Sequence, residues 1–242
     1  MNNSLLKEIA PTGVLRAAIN MSNFLLVTGE TENGEPDGVS PGIAREIAKQ
    51  LGVECKLIPF SGPGELADAV ADDVWDIGNI AAEPERARTI TFSPAYCEIQ
   101  ATYLVPENSA IKNIHDVDKT GIRIAVKERA AYDLWLSDNI QNASLIKAPS
   151  IDESFQLFIE NKLEVLAGLR PKLLEQQKLL KGSRVLDDSF TSIKQSIGCQ
   201  PGKKQAAKFL KVFVEQSIKN GLIESLIKKH GVQGRLSVAA LQ

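Results

Sequence analysis

Short apolar runs alternate with segments of helical periodicity along most of the chain, and this alternation constrains the fold more than any other feature. In the first half the apolar runs have the length of buried strands; they are Leu15–Ile19, Cys55–Phe60 and Asp76–Ala82. The segments between them place apolar residues at helical spacing; they are Ile43–Leu51, which Gly52 ends, and Glu65–Ala71, which follows the turn Gly62–Pro63–Gly64. Strands connected through helices favour a mostly parallel sheet with helices on its faces.

The same alternation returns in the second half, without a detectable sequence repeat. A strand at Ala101–Val105 leads out of the first half. The strands predicted after it are Arg123–Val126, Ser144–Lys147 and Glu164–Ala167, and the helices are Ala130–Ser137, Ile151–Asn161 and Pro171–Leu180. The chain ends in helical segments at Lys203–Asn220 and Leu222–Lys229. We therefore predict two α/β lobes, each of ordinary domain size.

Charge and aromatic content argue against a nucleic-acid-binding protein. The formal net charge is −2, aromatic residues make up 5% of the chain, and Lys and Arg are scattered along it. Phosphate backbones require concentrated positive charge, and single strands require aromatic platforms for stacking. The three cysteines, Cys55, Cys97 and Cys199, lack the close spacing of a zinc site or a disulfide framework.

Motifs for catalysis and for cofactors are missing from the sequence. It contains no nucleophile elbow, Walker A loop, paired-histidine metal motif or calcium loop. The two histidines, His115 and His230, lie far apart in polar surroundings. We therefore predict no cofactor, no metal and no enzymatic activity. Because no long apolar surface stripe is evident, we also predict a monomer.

The N-terminal segment leaves the compartment open. Met1–Pro11 lacks the charged and then apolar pattern of a signal peptide, and no stretch approaches the roughly 18 apolar residues of a membrane span. Either a leader was removed and the protein is periplasmic or extracellular, or the N-terminus is native and the protein is cytoplasmic.

The segment Glu83–Tyr96, EPERARTITFSPAY, directly follows the third predicted strand. Its proline-anchored turn is expected to present Arg86 near the carboxyl end of the sheet, where open α/β sheets bind ligands. A planar guanidinium can hold a carboxylate through two parallel hydrogen bonds. The alternative is that Arg86 and Arg88 are surface residues paired with Glu83 and Glu85.

Six segments carry a resemblance that covers nearly the whole chain, from Gly13 to the C-terminal helices. In chain order they read GVLRAAI, VSPGIAREIAKQLG, WDIGNIAAEPER, RTITFSPAY, RIAV and EVLAG. Their order and spacing resemble the extracellular solute-binding proteins of polar amino acid ABC transporters, the family 3 solute-binding proteins with the type II periplasmic-binding-protein fold. The resemblance implies two lobes joined by hinge strands near residues 102–106 and 191–197. Lobe 1 would comprise residues 1–103 and 196–242, and lobe 2 residues 104–195.

The resemblance also implies a set of ligand contacts. Arg86 would bind a carboxylate of the ligand. The other contacts would be Asn20, Asn23, Asn79, Ala81, Ala130, Ala131, Tyr132 and Gly168. Three of them, Ala130 to Tyr132, begin a predicted helix, and the free N–H groups of a helix start can receive an anion.

Departures from the family's pattern bear on the charge of the ligand. Members commonly hold the α-amino group of the ligand with an acidic residue at the strand end where this chain has Gly168. The usual acidic residue after the first strand is replaced by Asn20, and Asn23 stands where an aromatic residue is expected. Because a buried ammonium without a carboxylate partner is costly, these departures favour a carboxylate ligand without a positive amine. Glu98 or Glu128 could instead supply the missing negative charge.

The leading hypothesis for function is a solute-binding protein that captures a small carboxylate in the cleft between its lobes and presents it to an ABC permease. One alternative is a cytosolic protein that senses a metabolite and reports it to a partner. The other is an enzyme on the same scaffold, because some relatives resemble dehydratases of prephenate-like acids. Such an enzyme needs a general acid in the cleft, and the segment Gly168–Pro171 contains none.

Overall fold

The computed structural model describes residues 3–241, and its helices alternate with strands. The helices are α1 (Asn3–Ile9), α2 (Val39–Leu51), α3 (Pro63–Asp68), α4 (Ala131–Asn139), α5 (Ile151–Glu160), α6 (Arg170–Leu179), α7 (Lys204–Lys219) and α8 (Leu222–Lys229). The strands are β1 (Val14–Asn20), β2 (Gly29–Glu30), β3 (Pro36–Asp37), β4 (Glu54–Phe60), β5 (Ile77–Ala81), β6 (Thr91–Phe92), β7 (Cys97–Pro106), β8 (Arg123–Lys127), β9 (Ser144–Ala148), β10 (Val165–Leu169), β11 (Ser183–Val185), β12 (Thr191–Cys199) and β13 (Ser237–Val238).

The described chain separates into two compact units. Unit 1 runs up to Glu98 and resumes at Lys194, and unit 2 is Ile99–Ile193. The chain therefore leaves unit 1 within β7 and returns within β12. The lobe boundaries expected from the sequence, at 103/104 and 195/196, fall in the same two strands. Movement of the lobes about these strands stays a prediction.

Unit 1 is built on a short, largely parallel sheet. Its central strand β1 pairs in parallel with β4 on one side and β5 on the other, and β5 pairs antiparallel with β12. The inner residues of β1 are nearly all buried, as in a strand covered on both faces. A cluster that includes Ala18, Leu66, Trp75, Ile80 and Ile90 forms the core between this sheet and α3.

Unit 2 repeats this arrangement. Its central strand β8 pairs in parallel with β9 and β10, and β10 pairs antiparallel with β7. The core cluster includes Leu104, Ala125, Phe155, Leu166 and Leu173, contributed by the sheet, α5 and α6. In each unit, two adjacent parallel strands therefore end at one edge of the sheet.

Each predicted strand and helix is found in the structure, and most bounds agree within a few residues. The helix expected at Glu65–Ala71 begins earlier, at Pro63, because proline fits the first helical turn, where no N–H is needed. It ends at Asp68 and continues as a 3₁₀ turn. Two-residue strands such as β6 and β13 carry no periodic signal and were not expected. Within residues 3–241, no helix combines the length and apolar character needed to cross a membrane.

Candidate ligand-binding site

Several of the expected contacts in unit 1 lie at the carboxyl ends of two neighbouring strands. Asn20 is the last residue of β1, and Ala81 is the last residue of β5. The parallel register pairs Ile19 with Asn79, so both strands end at the same edge of the sheet. This is the edge at which open α/β sheets bind ligands.

Arg86 reaches this edge because the segment after β5 folds back toward the strand. The Ala87 N–H donates to the Glu83 carbonyl oxygen at 2.9 Å, which closes the turn. The Arg86 side chain is only 5% exposed, and its Nη1 donates to the Ala81 carbonyl oxygen at 3.0 Å. Arg88, two residues later, is exposed. Arg86 is therefore a buried cation at the strand end, whereas Arg88 is a surface residue.

Asn20 and Asn23 shape the turns that follow β1. Asn20 Oδ1 accepts hydrogen bonds from the Ser22 N–H at 3.2 Å and from the Ser22 hydroxyl at 2.8 Å. Asn23 Oδ1 accepts from the Leu25 N–H at 3.2 Å, and the Asn23 side chain is 6% exposed. Both are Asx turns, for which asparagine is well suited. Each side-chain oxygen is thus engaged within its own turn.

Gly38 allows the same segment to lie against the start of α2. Its φ is 149°, and a Cβ at this position would collide with the Leu26 carbonyl oxygen. That oxygen also accepts a hydrogen bond from the Ser40 N–H at 3.1 Å. Only glycine fits so close an approach, so Gly38 fixes where the turns after β1 lie.

The amide of Asn79 is buried without hydrogen-bond partners in the described part of the chain, which is unusual for a polar side chain. It lies in the middle of β5, is 1% exposed, and neither its Oδ1 nor its Nδ2 has a hydrogen-bond partner among the described residues. An unpartnered buried amide is unfavourable by about 1–3 kcal/mol. Asn79 therefore lowers stability where it stands, which is typical of residues kept for function rather than for folding.

In unit 2, the expected contacts Ala130, Ala131 and Tyr132 form the start of α4. Ala130 has extended backbone and precedes the first helical residue, Ala131. The turn before it is sharp, because Arg129 has a φ of 59°. Tyr132 is buried, and this burial raises the pKa of its hydroxyl. The first N–H groups of α4 form the positive end of the helix dipole.

Asp133 fixes the start of α4, and sequence reasoning missed it. Its carboxylate is fully buried, accepts a hydrogen bond from the Arg129 N–H at 2.7 Å, and lies 3.0 Å from Lys147 Nζ. Asp133 stands three residues after the helix cap at Ala130, the position from which an acidic residue folds back onto the chain before the helix. That spacing was the one available signal, but an exposed aspartate in a first turn gives the same pattern.

Gly168 packs toward the interior of unit 2. A Cβ on Gly168 would lie 3.1 Å from a methyl group of Leu173, which belongs to the core cluster. An acidic side chain at position 168 would therefore enter this packing. The strand itself ends one residue later, at Leu169, so the strand end also carries no acidic residue. Gly168 as a ligand contact stays a prediction.

The guanidinium of Arg170, the residue after Leu169, forms several hydrogen bonds within unit 2. Arg170 Nε donates to Gln100 Oε1 at 2.7 Å, and Nη1 donates to the Leu186 carbonyl oxygen at 2.9 Å. Nη2 donates to the carbonyl oxygens of Asp187 and Asp188 at 2.6 and 3.0 Å. Arg170 therefore binds the segment before β12 to the start of α6.

The structure thus places the expected contacts in two groups. Asn20 and Ala81 share one edge of the unit 1 sheet, Arg86 contacts Ala81 there, and Asn79 lies two residues before Ala81 within β5. Ala130 to Tyr132 stand together at the start of α4, whereas Gly168 faces Leu173. Among the described residues, no three His, Cys, Asp or Glu side chains are grouped as metal ligands would be.

Comparisons with known proteins identify the class and the family. The sequence model that describes the family of bacterial extracellular solute-binding proteins, family 3, matches residues 17–233 of this chain. The L-cystine-binding protein TcyJ of Escherichia coli K12 is 22% identical over 233 residues, which cover 94% of this chain and 86% of that protein. The glutamine-binding protein of Geobacillus stearothermophilus is 26% identical over 224 residues, which cover 85% of this chain and 79% of that protein.

A solved structure agrees with this result. It is that of the ancestral amino acid-binding protein AncCDT-1, a precursor of cyclohexadienyl dehydratase, with a TM-score of 0.74 and 21% identity over 93% of this chain and 97% of that one. The fold is that of the type II periplasmic binding proteins. Within this class, the chain belongs to the bacterial extracellular solute-binding proteins of family 3.

Proposed function

We propose that this protein captures a small carboxylate-containing solute outside the cytoplasm, in the periplasm or at the cell exterior, and presents it to an ABC permease. It acts as a monomer and does no chemistry on the ligand. The observation that carries the proposal is the buried guanidinium of Arg86 at the carboxyl end of β5. The alternatives, a metabolite sensor or a dehydratase, have no comparable observation in their favour.

Arg86 suits carboxylate binding for two reasons. Its Nη1 is already held by the Ala81 carbonyl oxygen at 3.0 Å, so the group loses little freedom when a ligand binds. Little solvent reaches the side chain, so a carboxylate brought there interacts in a medium of lower dielectric constant than water. Bidentate pairing with a planar carboxylate would then supply geometric selectivity as well as affinity.

Unit 2 contributes the start of α4 in this proposal. The N–H groups of Ala131 and Tyr132 belong to the first helical turn, where backbone donors are free of intrahelical bonds. Asp133 and Lys147 hold this turn in place. A ligand oxygen bound there would accept hydrogen bonds from these N–H groups.

The ligand in this proposal carries no ammonium group at the strand end of unit 2. The residues there, Gly168 and Leu169, are neutral, and the next residue, Arg170, is a cation. The named relatives bind L-cystine and glutamine, which have both a carboxylate and an ammonium group. An amino acid is therefore the alternative ligand class, and it belongs in the test.

A thermal-shift screen tests the proposal. The panel comprises monocarboxylates, dicarboxylates, 2-oxo acids and α-amino acids, with prephenate included to detect both binding and turnover. A ligand at 100 times its dissociation constant adds about 2.7 kcal/mol, which raises the midpoint by about 5–10 °C in a chain of this size. We expect at least one acid to reach this shift and prephenate to remain unconverted. Absence of a shift with every acid, or turnover of prephenate, would contradict the proposal.

A further inference from the structure

An aromatic side chain of unit 2 lies at the edge where the parallel strands of its sheet end. Phe190 directly precedes β12, and its N–H donates to the Ala101 carbonyl oxygen at 3.0 Å. Ala101 is also the register partner of Leu169, the last residue of β10. Phe190 is therefore level with the carboxyl end of β10, at the edge where open α/β sheets bind ligands.

The ring of Phe190 contacts aromatic rings from two other elements of unit 2. Its centroid lies 4.5 Å from that of Tyr103 in β7 and 5.2 Å from that of Trp135 in α4. Tyr103 is buried, whereas Phe190 and Trp135 are half-buried. The three rings form an aromatic cluster in which Phe190 and Trp135 keep part of their surface open to solvent.

Trp135 connects this cluster with the start of α4. It lies four residues after Ala131, the first residue of the helix, and residues four apart in a helix share a face. In the proposed function, the free N–H groups at that start receive an anionic oxygen of the ligand. The aromatic surface and the anion donors therefore lie one turn apart on the same helix.

The segment that carries Phe190 is held in place by two side chains. Arg170 donates to the carbonyl oxygens of residues 186–188 at 2.9, 2.6 and 3.0 Å, and to the Ser189 hydroxyl at 3.1 Å. The Thr102 hydroxyl donates to the first and the third of these carbonyl oxygens. Because these contacts fix the backbone up to Phe190, the aromatic surface is preformed and loses little freedom when it is covered.

Half-buried rings at a ligand-binding edge offer apolar area that the apolar part of a ligand can cover. Another aromatic ring suits them best, since aromatic pairs gain more than their buried area alone provides. We infer that Phe190 and Trp135 receive the side chain of the ligand and that this side chain is aromatic. The inference rests on the proposed function and applies equally to an α-amino acid and to a 2-oxo acid.

The first test ranks acids that share a head group and differ in their side chain. Calorimetric titration compares alanine, leucine, glutamine and phenylalanine, and likewise pyruvate, 4-methyl-2-oxopentanoate and phenylpyruvate. In at least one series, we expect the aromatic acid to bind about tenfold more tightly than any other member. If another member binds as tightly in both series, the inference is wrong while the proposed function stands. If no acid binds, both are wrong.

The fluorescence of Trp135 tests whether the ligand covers this surface. The chain has two tryptophans, and Trp75 is fully buried, so quenching by acrylamide reports mainly on Trp135. Saturation with the aromatic acid should at least halve this quenching, and saturation with the three-carbon acid of the same series should change it less. Unchanged quenching, or equal protection by both acids, would overturn the inference.

A pair of matched variants tests Phe190 itself. Phe190→Leu should lower the preference for the aromatic acid over the three-carbon acid about tenfold. The control is Phe209→Leu, because Phe209 is also half-buried and contacts another ring, that of Phe213 at 6.3 Å, but in unit 1. Phe209→Leu should leave the preference as in the wild type. An equal loss of affinity for both acids in Phe190→Leu, or the same change of preference in Phe209→Leu, would show that the ring has only a structural role.

Discussion

Arg16 and Asp76 form a two-point ion pair in which the carboxylate is fully excluded from solvent. Arg16 Nη2 lies 2.8 Å from Asp76 Oδ1, and Arg16 Nε lies 3.1 Å from Asp76 Oδ2. The backbone N–H of Arg16 donates to the same Oδ2 at 2.9 Å. Asp76 directly precedes β5 and Arg16 lies in β1, so the pair fixes how the two strands that carry the site lie against each other.

Unit 2 has a counterpart at the same place in its sheet. Arg123 in β8 binds Glu164, which directly precedes β10, with Nη2 2.8 Å from Oε1. The side chains of this pair are 42% and 35% exposed, whereas those of Arg16 and Asp76 are 20% and 0% exposed. The two pairs thus share geometry and differ in burial.

Because the two ion pairs differ in burial, neutralising the carboxylate should destabilise the protein more in the pair of unit 1 than in the pair of unit 2. Asp76→Asn removes the buried charge that Arg16 contacts at two points and leaves only the exposed Asp73 carboxylate, 3.3 Å from Nη2, so it should lower the free energy of unfolding by about 3 kcal/mol. Glu164→Gln breaks an exposed pair and should lower it by less than about 1 kcal/mol. Urea unfolding of Asp76→Asn is followed by the fluorescence of Trp75, which is buried in unit 1. The measurement is made in a Trp135→Phe background so that Trp75 is the signal. Equal losses in the two variants would contradict the role of burial.

Asp133 should be the acidic residue on which α4 depends. Asp133→Ala removes the ion pair with Lys147 and the hydrogen bond from the Arg129 N–H and should cost about 3 kcal/mol of unfolding free energy. Asp138, exposed on the same helix, provides the matched control, and Asp138→Ala should change stability by less than about 0.5 kcal/mol. Denaturant unfolding followed by Trp135 fluorescence checks both. Similar effects in the two variants would show that Asp133 has no special part in α4.

The lowered pKa of His230 predicts that the protein becomes less stable on mild acidification. Burial lowers the pKa of His230 below its ordinary value, opposed by Asp37 and reinforced by Lys229 and Arg45. Because the unfolded chain then takes up the proton first as the pH falls, stability should decrease from about pH 6.5 downward. Thermal midpoints between pH 7.5 and pH 5 measure this decrease.

The other histidine of the chain is the control for this pH dependence. His230→Gln should flatten the stability profile over this range, whereas His115→Gln should leave it as in the wild type. A wild-type profile that stays flat, or one that only His115→Gln flattens, would contradict the assignment.

Replacing Asn79 by an apolar residue should stabilise the protein, because the Asn79 amide has no hydrogen-bond partner among the described residues. Asn79→Val removes a buried amide without partners and places a β-branched residue in a strand, so the free energy of unfolding should rise by about 1 kcal/mol. Asn79→Asp should have the opposite sign, because it introduces a charge into the same environment. Urea unfolding of both variants decides the sign. A destabilising Asn79→Val would mean that the amide is engaged in the folded protein.

The sequence was sufficient to predict the strands and helices that have a clear period. Leu15–Ile19 and Leu222–Lys229 are examples, because apolar spacing is a local property. It could not predict that Asp76 and Asp133 are buried, since burial depends on which elements pack together. The same holds for the contacts of Arg170, whose donors are engaged by the carbonyl oxygens of residues 186–188. Arg86 became a candidate because a turn after a parallel strand has a predictable location, and the structure shows that this residue is buried.

The most direct test of the central claim is a calorimetric titration of three proteins with the acid that gives the largest thermal shift. They are wild type, Arg86→Lys and Arg88→Lys, so the two variants carry the same substitution and the same charge. Lysine cannot make the bidentate contact with a carboxylate, so we predict that Arg86→Lys weakens binding at least tenfold and that Arg88→Lys binds as wild type does. A folded Arg86→Lys variant with wild-type affinity would contradict the claim that this residue holds the ligand.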